Sequence, residues 1–147
     1  MKLRKTQFIF LFIIIATLSR LIPHPPNFTP ITAIALFSIT RLDNKLLASL
    51  IPLICLYISD LFLGFYSINI FVYSSFLLIS LLGHYIGKIN LSSVVLSSIL
   101  FFTISNFGVW LLGYPRTIEG FLTCYVNAIP FFGFTILGDL ILSLIHI

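Results

Sequence analysis

Charged residues are scarce in this chain. Asp, Glu, Lys and Arg make up only 8% of its 147 residues, and hydrophobic residues make up 59%, whereas a soluble domain carries about 25% charged residues. So few charges cannot cover a surface exposed to water. The scarcity excludes an ordinary soluble domain and predicts an all-α bundle of transmembrane helices. At about 20 residues per spanning helix, residues 1–147 have room for five or six spans in a single transmembrane domain.

Catalytic motifs are also missing. The sequence contains no H-E-x-x-H, no G-x-S-x-G, no paired carboxylates at helical spacing and no glycine-rich phosphate loop. An intramembrane protease, a hydrolase or an ATPase would need one of these constellations. We therefore expect no enzymatic activity, no metal site and no bound cofactor.

Cysteine is rare as well. Cys55 and Cys124 lie inside apolar runs, and neither belongs to a CxxC pair or has a histidine at metal-ligand spacing. We predict that both are packing residues.

The few charges that are present lie singly at the ends of apolar segments. The net charge of +4 is therefore not grouped on one face, which argues against nucleic-acid binding and indicates membrane orientation. If every segment crosses, six basic residues fall on one side and two on the other, which predicts a multi-pass membrane protein with both termini in the cytoplasm. The six are Lys2, Arg4, Lys5, Arg41, Lys45 and Lys88, and the two are Arg20 and Arg116.

Charges, prolines and glycines divide the chain into about six apolar segments. The first resembles a secretory signal but lacks a clear A-x-A cleavage site, so we interpret it as a retained helix. The second is too short to cross a bilayer of about 30 Å by itself, and is predicted to be tilted, re-entrant or extended by its neighbours. Pro130 and Gly133 are predicted to interrupt the sixth. The segments are 7–22, 31–40, 46–64, 68–86, 91–112 and 121–147.

Arg20 and Asp60 carry charges that are energetically unfavourable inside a spanning helix. Each lies toward the predicted outer end of its segment, and an ionised side chain at the bilayer centre costs at least about 2.5 kcal/mol. Two interpretations are open. The two side chains pair or reach the outer interface, or they line an outward cavity and bind a polar ligand, and both could hold at once.

Asn106 begins a second polar set. With Thr103, Trp110 and Gly113 it forms a stripe at helical spacing that ends at the outer loop. The stripe is typical either of an interhelical hydrogen bond with Trp110 in the interfacial belt, or of a pocket wall on which Trp110 stacks against a planar ligand. Further stripes, Tyr66, Asn69 and Tyr73 and then Thr123 and Asn127, fall at the same predicted depth.

Asp139 lies apart from these stripes. It falls toward the predicted cytoplasmic end of the sixth segment, on a face with Thr135, Ser143 and His146. This depth is too far from the outer pocket for ligand binding. Pairing with a basic residue near the inner surface and contact with a cytoplasmic partner are both open.

Four stretches carry a family resemblance. They are RLIPHPPNFTPITAIALF (20–37), SDLFLGFYS (59–67), SNFGVWLLGYP (105–115) and CYVNAIPFFGFTILGD (124–139). In these the chain resembles an uncharacterised family of small bacterial membrane proteins, which is itself similar to the substrate-binding S components of energy-coupling-factor vitamin importers. The resemblance implies a location in the bacterial inner membrane.

The resemblance to S components implies a six-helix protein that captures a vitamin-like ligand and needs a membrane coupling subunit and two cytoplasmic ATPases for uptake. S components often carry an A-x-x-x-A face on their first helix for that docking. Here Ala16 is followed four residues later by Arg20, and Ala33 and Ala35 are two residues apart. The docking face is therefore missing from its expected place.

These patterns predict a ligand-binding membrane subunit of a small-molecule importer. The basic side chains would attract an anionic group. The alternative is a non-catalytic assembly or structural protein that binds another membrane protein, with its polar residues holding helices together. The predicted ligand-binding residues are Arg20, His24, Asn27, Asp60, Asn106, Trp110 and Arg116.

Overall fold

The computed structural model describes residues 5–23 and 31–144. All regular structure in these two ranges is α-helical, which confirms the predicted all-α bundle with a short second helix. The six helices are α1 (Lys5–Leu21), α2 (Ile31–Arg41), α3 (Lys45–Leu63), α4 (Asn69–Ile86), α5 (Leu91–Gly113) and α6 (Ile118–Leu144).

Local sequence sets several helix ends. The Asn44 side chain accepts a hydrogen bond from the Leu47 amide at 3.1 Å and caps α3. Asn90 and Ser93 form a reciprocal capping box at the start of α5. Helix α4 ends at Gly87, whose left-handed φ of 69° favours glycine.

Helix α6 is continuous through Pro130, so the predicted interruption at Pro130 and Gly133 is wrong. A proline removes only its own amide hydrogen from the ladder, which affects the carbonyl of Val126 four residues earlier. In lipid every other backbone group must still be paired within the segment, so the helical ladder persists on both sides. Pro52 lies inside α3 in the same way.

Four helices, α3 to α6, are long and apolar enough to cross a membrane, while α1 and α2 are shorter apolar helices. With eleven residues and a rise of about 1.5 Å per residue, α2 is only about 16 Å long. By itself it is too short to cross a bilayer of about 30 Å.

Helix α2 lies in the middle of the bundle. Eight of its eleven residues are buried, and it contacts each of the other five helices. Its final turn is held by Lys45, whose ammonium group donates to the carbonyls of Ile39 at 2.7 Å and Leu42 at 3.0 Å. The segment is thus a short core helix, mostly apolar and buried on nearly all sides by protein.

Two clusters of buried side chains form the core around α2. One contains Leu36 with Leu56 and Phe76, and the other contains Ile34 with Cys55. Cys55 and Cys124 are both buried and free, as expected of packing residues.

Candidate ligand-binding site

Arg20 and Asp60 pair across the last turns of α1 and α3. The Arg20 Nη1 atom lies 2.8 Å from Asp60 Oδ1, and the same nitrogen donates to the Leu56 carbonyl at 3.3 Å and to the Ser59 hydroxyl. The Asp60 side chain is only 5% exposed and that of Arg20 is 19% exposed. The first of the two interpretations from the sequence, pairing between helices, is therefore what the structure contains.

The other oxygen of Asp60 binds α4. Asn69 Nδ2 donates to Asp60 Oδ2 at 3.0 Å, and the Tyr73 hydroxyl donates to it at 2.6 Å. We call Arg20, Ser59, Asp60, Asn69 and Tyr73 the Asp60 network. It joins three helices through one carboxylate, which accepts hydrogen bonds from three side chains.

A separate cleft of about 410 Å³ lies between α4, α5 and α6. It occupies the end of the bundle near the α5–α6 loop, because its residues come from the start of α4, the second half of α5 and the first half of α6. We call it the α4–α6 cleft. It is lined by Ile68, Val72, Phe101, Ser105, Asn106, Val109, Cys124, Asn127, Ala128 and Phe131.

Three polar side chains face this cleft. Asn106 Nδ2 donates to the Phe102 carbonyl at 2.8 Å, and the Ser105 hydroxyl donates to the Phe101 carbonyl at 2.7 Å. Asn127 Nδ2 lies 3.3 Å from the Tyr114 hydroxyl. An amide has two N–H donors and an acceptor oxygen, and a hydroxyl oxygen can accept as well as donate. These bonds therefore leave hydrogen-bonding capacity for a ligand.

Trp110 and Arg116 lie at the α5–α6 turn. Trp110 Nε1 donates to the Pro115 carbonyl at 3.0 Å, and its ring packs against those of Phe107 and Phe121. Arg116 is exposed in the turn. Trp110 therefore fixes the turn next to the cleft, and neither side chain is among the residues that line the cleft.

The structure does not gather the predicted ligand residues into one site. Arg20 and Asp60 belong to the Asp60 network, and Asn106 lies in the α4–α6 cleft. His24 and Asn27 lie outside the described residues. The sequence prediction missed Ser59 and Ser105, each of which directly precedes a polar residue that it did identify.

The polar stripes divide between the same two places. Asn69 and Tyr73 contact Asp60, whereas Tyr66 of the same stripe is exposed. In the α6 stripe, Asn127 lines the cleft, while Thr123 is exposed and donates to the Glu119 carbonyl of its own helix.

The whole chain, residues 1–147, matches the model of a family of unknown function, DUF6580. The protein belongs to this family. No curated protein and no solved structure matches it. Membership of DUF6580 assigns no activity, so the chemistry of this DUF6580 member is argued from its own side chains.

In this DUF6580 protein the cleft offers chemistry that the Asp60 network does not. Each Asp60 oxygen already has a donor. The cleft is lined by aromatic side chains together with amide and hydroxyl groups, and none of the described residues that line it is charged. The arrangement is suited to holding an uncharged molecule through a few directed hydrogen bonds.

Proposed function

We propose that this DUF6580 protein is the substrate-binding membrane subunit of a small-molecule importer, and that the α4–α6 cleft is its ligand site. One observation carries the proposal. A cleft of about 410 Å³ places three hydrogen-bonding side chains on otherwise apolar walls. Ligand sites are typically clefts of about 300–1,000 Å³ with this composition.

The cleft favours an uncharged ligand with both donors and acceptors. Asn106, Asn127 and Ser105 supply the polar contacts, and Phe101 and Phe131 supply aromatic surface for a planar group. The positive charge of Arg20 is balanced by Asp60. This proposal therefore replaces the anionic ligand expected from the sequence with a neutral one.

The proposed orientation opens the cleft to the outside. If all six helices count as crossings and both termini are cytoplasmic, the turns before α4 and after α5 lie on the outer side. Ile68 begins the first of these regions and Val109 lies one turn from the second. A molecule arriving from outside would then meet the cleft first.

Uptake by such a subunit would need further proteins. The similarity to S components supports a vitamin-like ligand, a membrane coupling subunit and cytoplasmic ATPases as the partners. Ala16, Ala33 and Ala35 are buried inside the bundle, so the coupling subunit would have to dock on a different face from that of typical S components.

Native mass spectrometry of the detergent-solubilised full chain tests the proposal. We expect the wild type to carry a small molecule, and Asn127→Ala to bind it about tenfold more weakly and so to carry less of it, since losing a ligand hydrogen bond of about 1.4 kcal/mol weakens binding tenfold. Thr103→Ala is the matched control, because Thr103 is an exposed residue of α5 outside the cleft. A wild type that carries no small molecule but stays bound to a membrane protein would favour the assembly function instead.

A further inference from the structure

Asp139 is a buried carboxyl group that the proposed ligand site does not use. It is 1% exposed and lies in the second half of α6, five residues before the last residue of the helix. The Ser98 hydroxyl of α5 lies 2.6 Å from Asp139 Oδ2, and the Thr32 side chain of α2 is its second hydrogen-bonding partner. The carboxyl group therefore sits where α2, α5 and α6 meet.

No described cation neutralises this group. Helix α6 packs against α5 and α2, and α5 contains no ionisable side chain. The one ionisable residue of α2 is Arg41, nine residues beyond Thr32, or about 14 Å along the axis. Among the described residues the partners of Asp139 are thus hydroxyl groups, and not the basic residue considered from the sequence.

Other titratable groups of α6 are distant or undescribed. Tyr125 is fourteen residues before Asp139, or about 21 Å along the helix, and Cys124 and Glu119 are farther. His146 lies outside the described residues. An ionised carboxylate here would be costly, because two hydroxyl groups do not replace a counter-charge in an apolar interior.

The two oxygen atoms near the Ser98 hydroxyl group fit a neutral acid. Ser98 Oγ lies 2.6 Å from Asp139 Oδ2 and 3.1 Å from the Val94 carbonyl oxygen. A serine hydroxyl has one hydrogen, so it cannot donate fully to both oxygens. If Asp139 carries a proton, it donates to Ser98, and Ser98 donates to Val94.

We propose that Asp139 is a proton-binding site, neutral in this conformation, which holds α2 against α5 and α6. On ionisation the O–H bond breaks, the proton passes to water and the electron pair stays on the carboxylate. The charge is then left among hydroxyl groups and apolar side chains, which weakens the packing of α2. The site is independent of the α4–α6 cleft and does not rest on the proposed import function.

Infrared spectroscopy of the full chain in lipid tests this assignment. We expect a protonated-carboxyl C=O band at neutral pH that disappears in Asp139→Asn and persists in Glu119→Gln, whose carboxyl group is exposed. Ser98→Ala keeps the proton but removes its acceptor, so the band should shift in frequency. This second variant tests the site even if Asp139→Asn does not fold.

Stability gives a second, independent readout. The folded state is proposed to hold this proton at a pH at which the unfolded chain has already lost it. The midpoint temperature of wild-type unfolding should therefore fall as the pH rises, and Asp139→Asn should lose this dependence. Absence of a protonated-carboxyl band in the wild type, or its persistence in Asp139→Asn, would overturn the proposal. So would stabilisation by Na⁺ that Asp139→Asn abolishes, since the ligand would then be a metal cation.

Discussion

At the scale of single residues, the Asp60 network determines how the polar side chains of α1, α3 and α4 are used. Asp60 binds Arg20 through one oxygen, and Asn69 and Tyr73 through the other. A complete buried ion pair adds little net stability, but removing one partner leaves the other charge unpaired. The network is therefore sensitive to the loss of any charged member.

Asp60→Ala should destabilise the protein by about 3 kcal/mol or more, because Arg20 would lose its counter-charge in a largely buried position. Tyr73→Phe removes one bond to the carboxylate and should cost about 1.5–3 kcal/mol. Tyr66→Phe is the control, since Tyr66 is 67% exposed, and should change stability by less than about 0.5 kcal/mol. Chemical unfolding in detergent measures all three. Wild-type stability in Asp60→Ala would show that the network does not hold the helices together.

The sequence identified every member of this network except Ser59, but not their arrangement. Arg20 and Asp60 were identified because charges inside apolar segments are few. Their pairing stayed one of two alternatives, because it depends on which face of α1 turns toward α3. Asn106 was identified in the same way, but its place in a cleft with Asn127 and Ser105 depends on how α5 and α6 pack.

At the scale of the helices, glycine marks where two of them approach closely. A Cβ atom on Gly83 would overlap the Ile39 side chain of α2, and one on Gly108 would overlap the Phe71 ring of α4. Gly87 instead ends α4 with a left-handed φ. Gly83 and Gly87 stand four residues apart, the spacing of a GxxxG helix-packing motif, but only Gly83 has a packing role.

Gly108→Ala should destabilise the protein by about 1–3 kcal/mol, the usual cost of overpacking. The new methyl group would force the Phe71 ring and Ile68 away from α5. Gly113→Ala on the same helix has open space around its added Cβ, and should be neutral within about 0.5 kcal/mol. Thermal unfolding of the pair is the measurement, and equal midpoints for the two variants would contradict close packing of α4 on α5.

The approximate bounds of the helices could be predicted from the sequence because charges, prolines and glycines separate the apolar segments. Helix α2 was expected near 31–40 and extends from Ile31 to Arg41. Pro130 was misread because a proline in lipid does not end a helix whose remaining groups must stay paired. The sequence could not show which face of each helix packs against the other helices. Lipid is as apolar as a protein core, so hydropathy does not distinguish a lipid-facing side from a packed one.

At the scale of the whole molecule, the meaning of the cleft depends on which side it opens to. The cleft lies near the α5–α6 loop, and Lys88 lies in the loop at the other end of α5. Because α5 is long and apolar enough to span a membrane, the two loops are expected on opposite sides. If α2 together with its neighbours counts as a crossing, as in the six-segment count, the excess of basic residues predicts that the Arg116 loop faces outward.

Thiol labelling of intact cells tests this orientation. With Cys55 and Cys124 replaced by serine, Arg116→Cys should react with a membrane-impermeant reagent. Lys88→Cys should react only after the membrane is opened. The reverse pattern would place the cleft on the cytoplasmic side and remove capture from outside as its role.

The most direct test of the central claim compares ligand retention between the two polar sites. Native mass spectrometry of Asn106→Ala and Tyr73→Phe, measured beside the wild type, separates the cleft from the Asp60 network. We predict that Asn106→Ala loses the bound small molecule, because it removes an amide from the cleft, and that Tyr73→Phe retains it. Retention by Asn106→Ala with loss by Tyr73→Phe, or a wild type that carries no small molecule, would contradict the α4–α6 cleft as the ligand site.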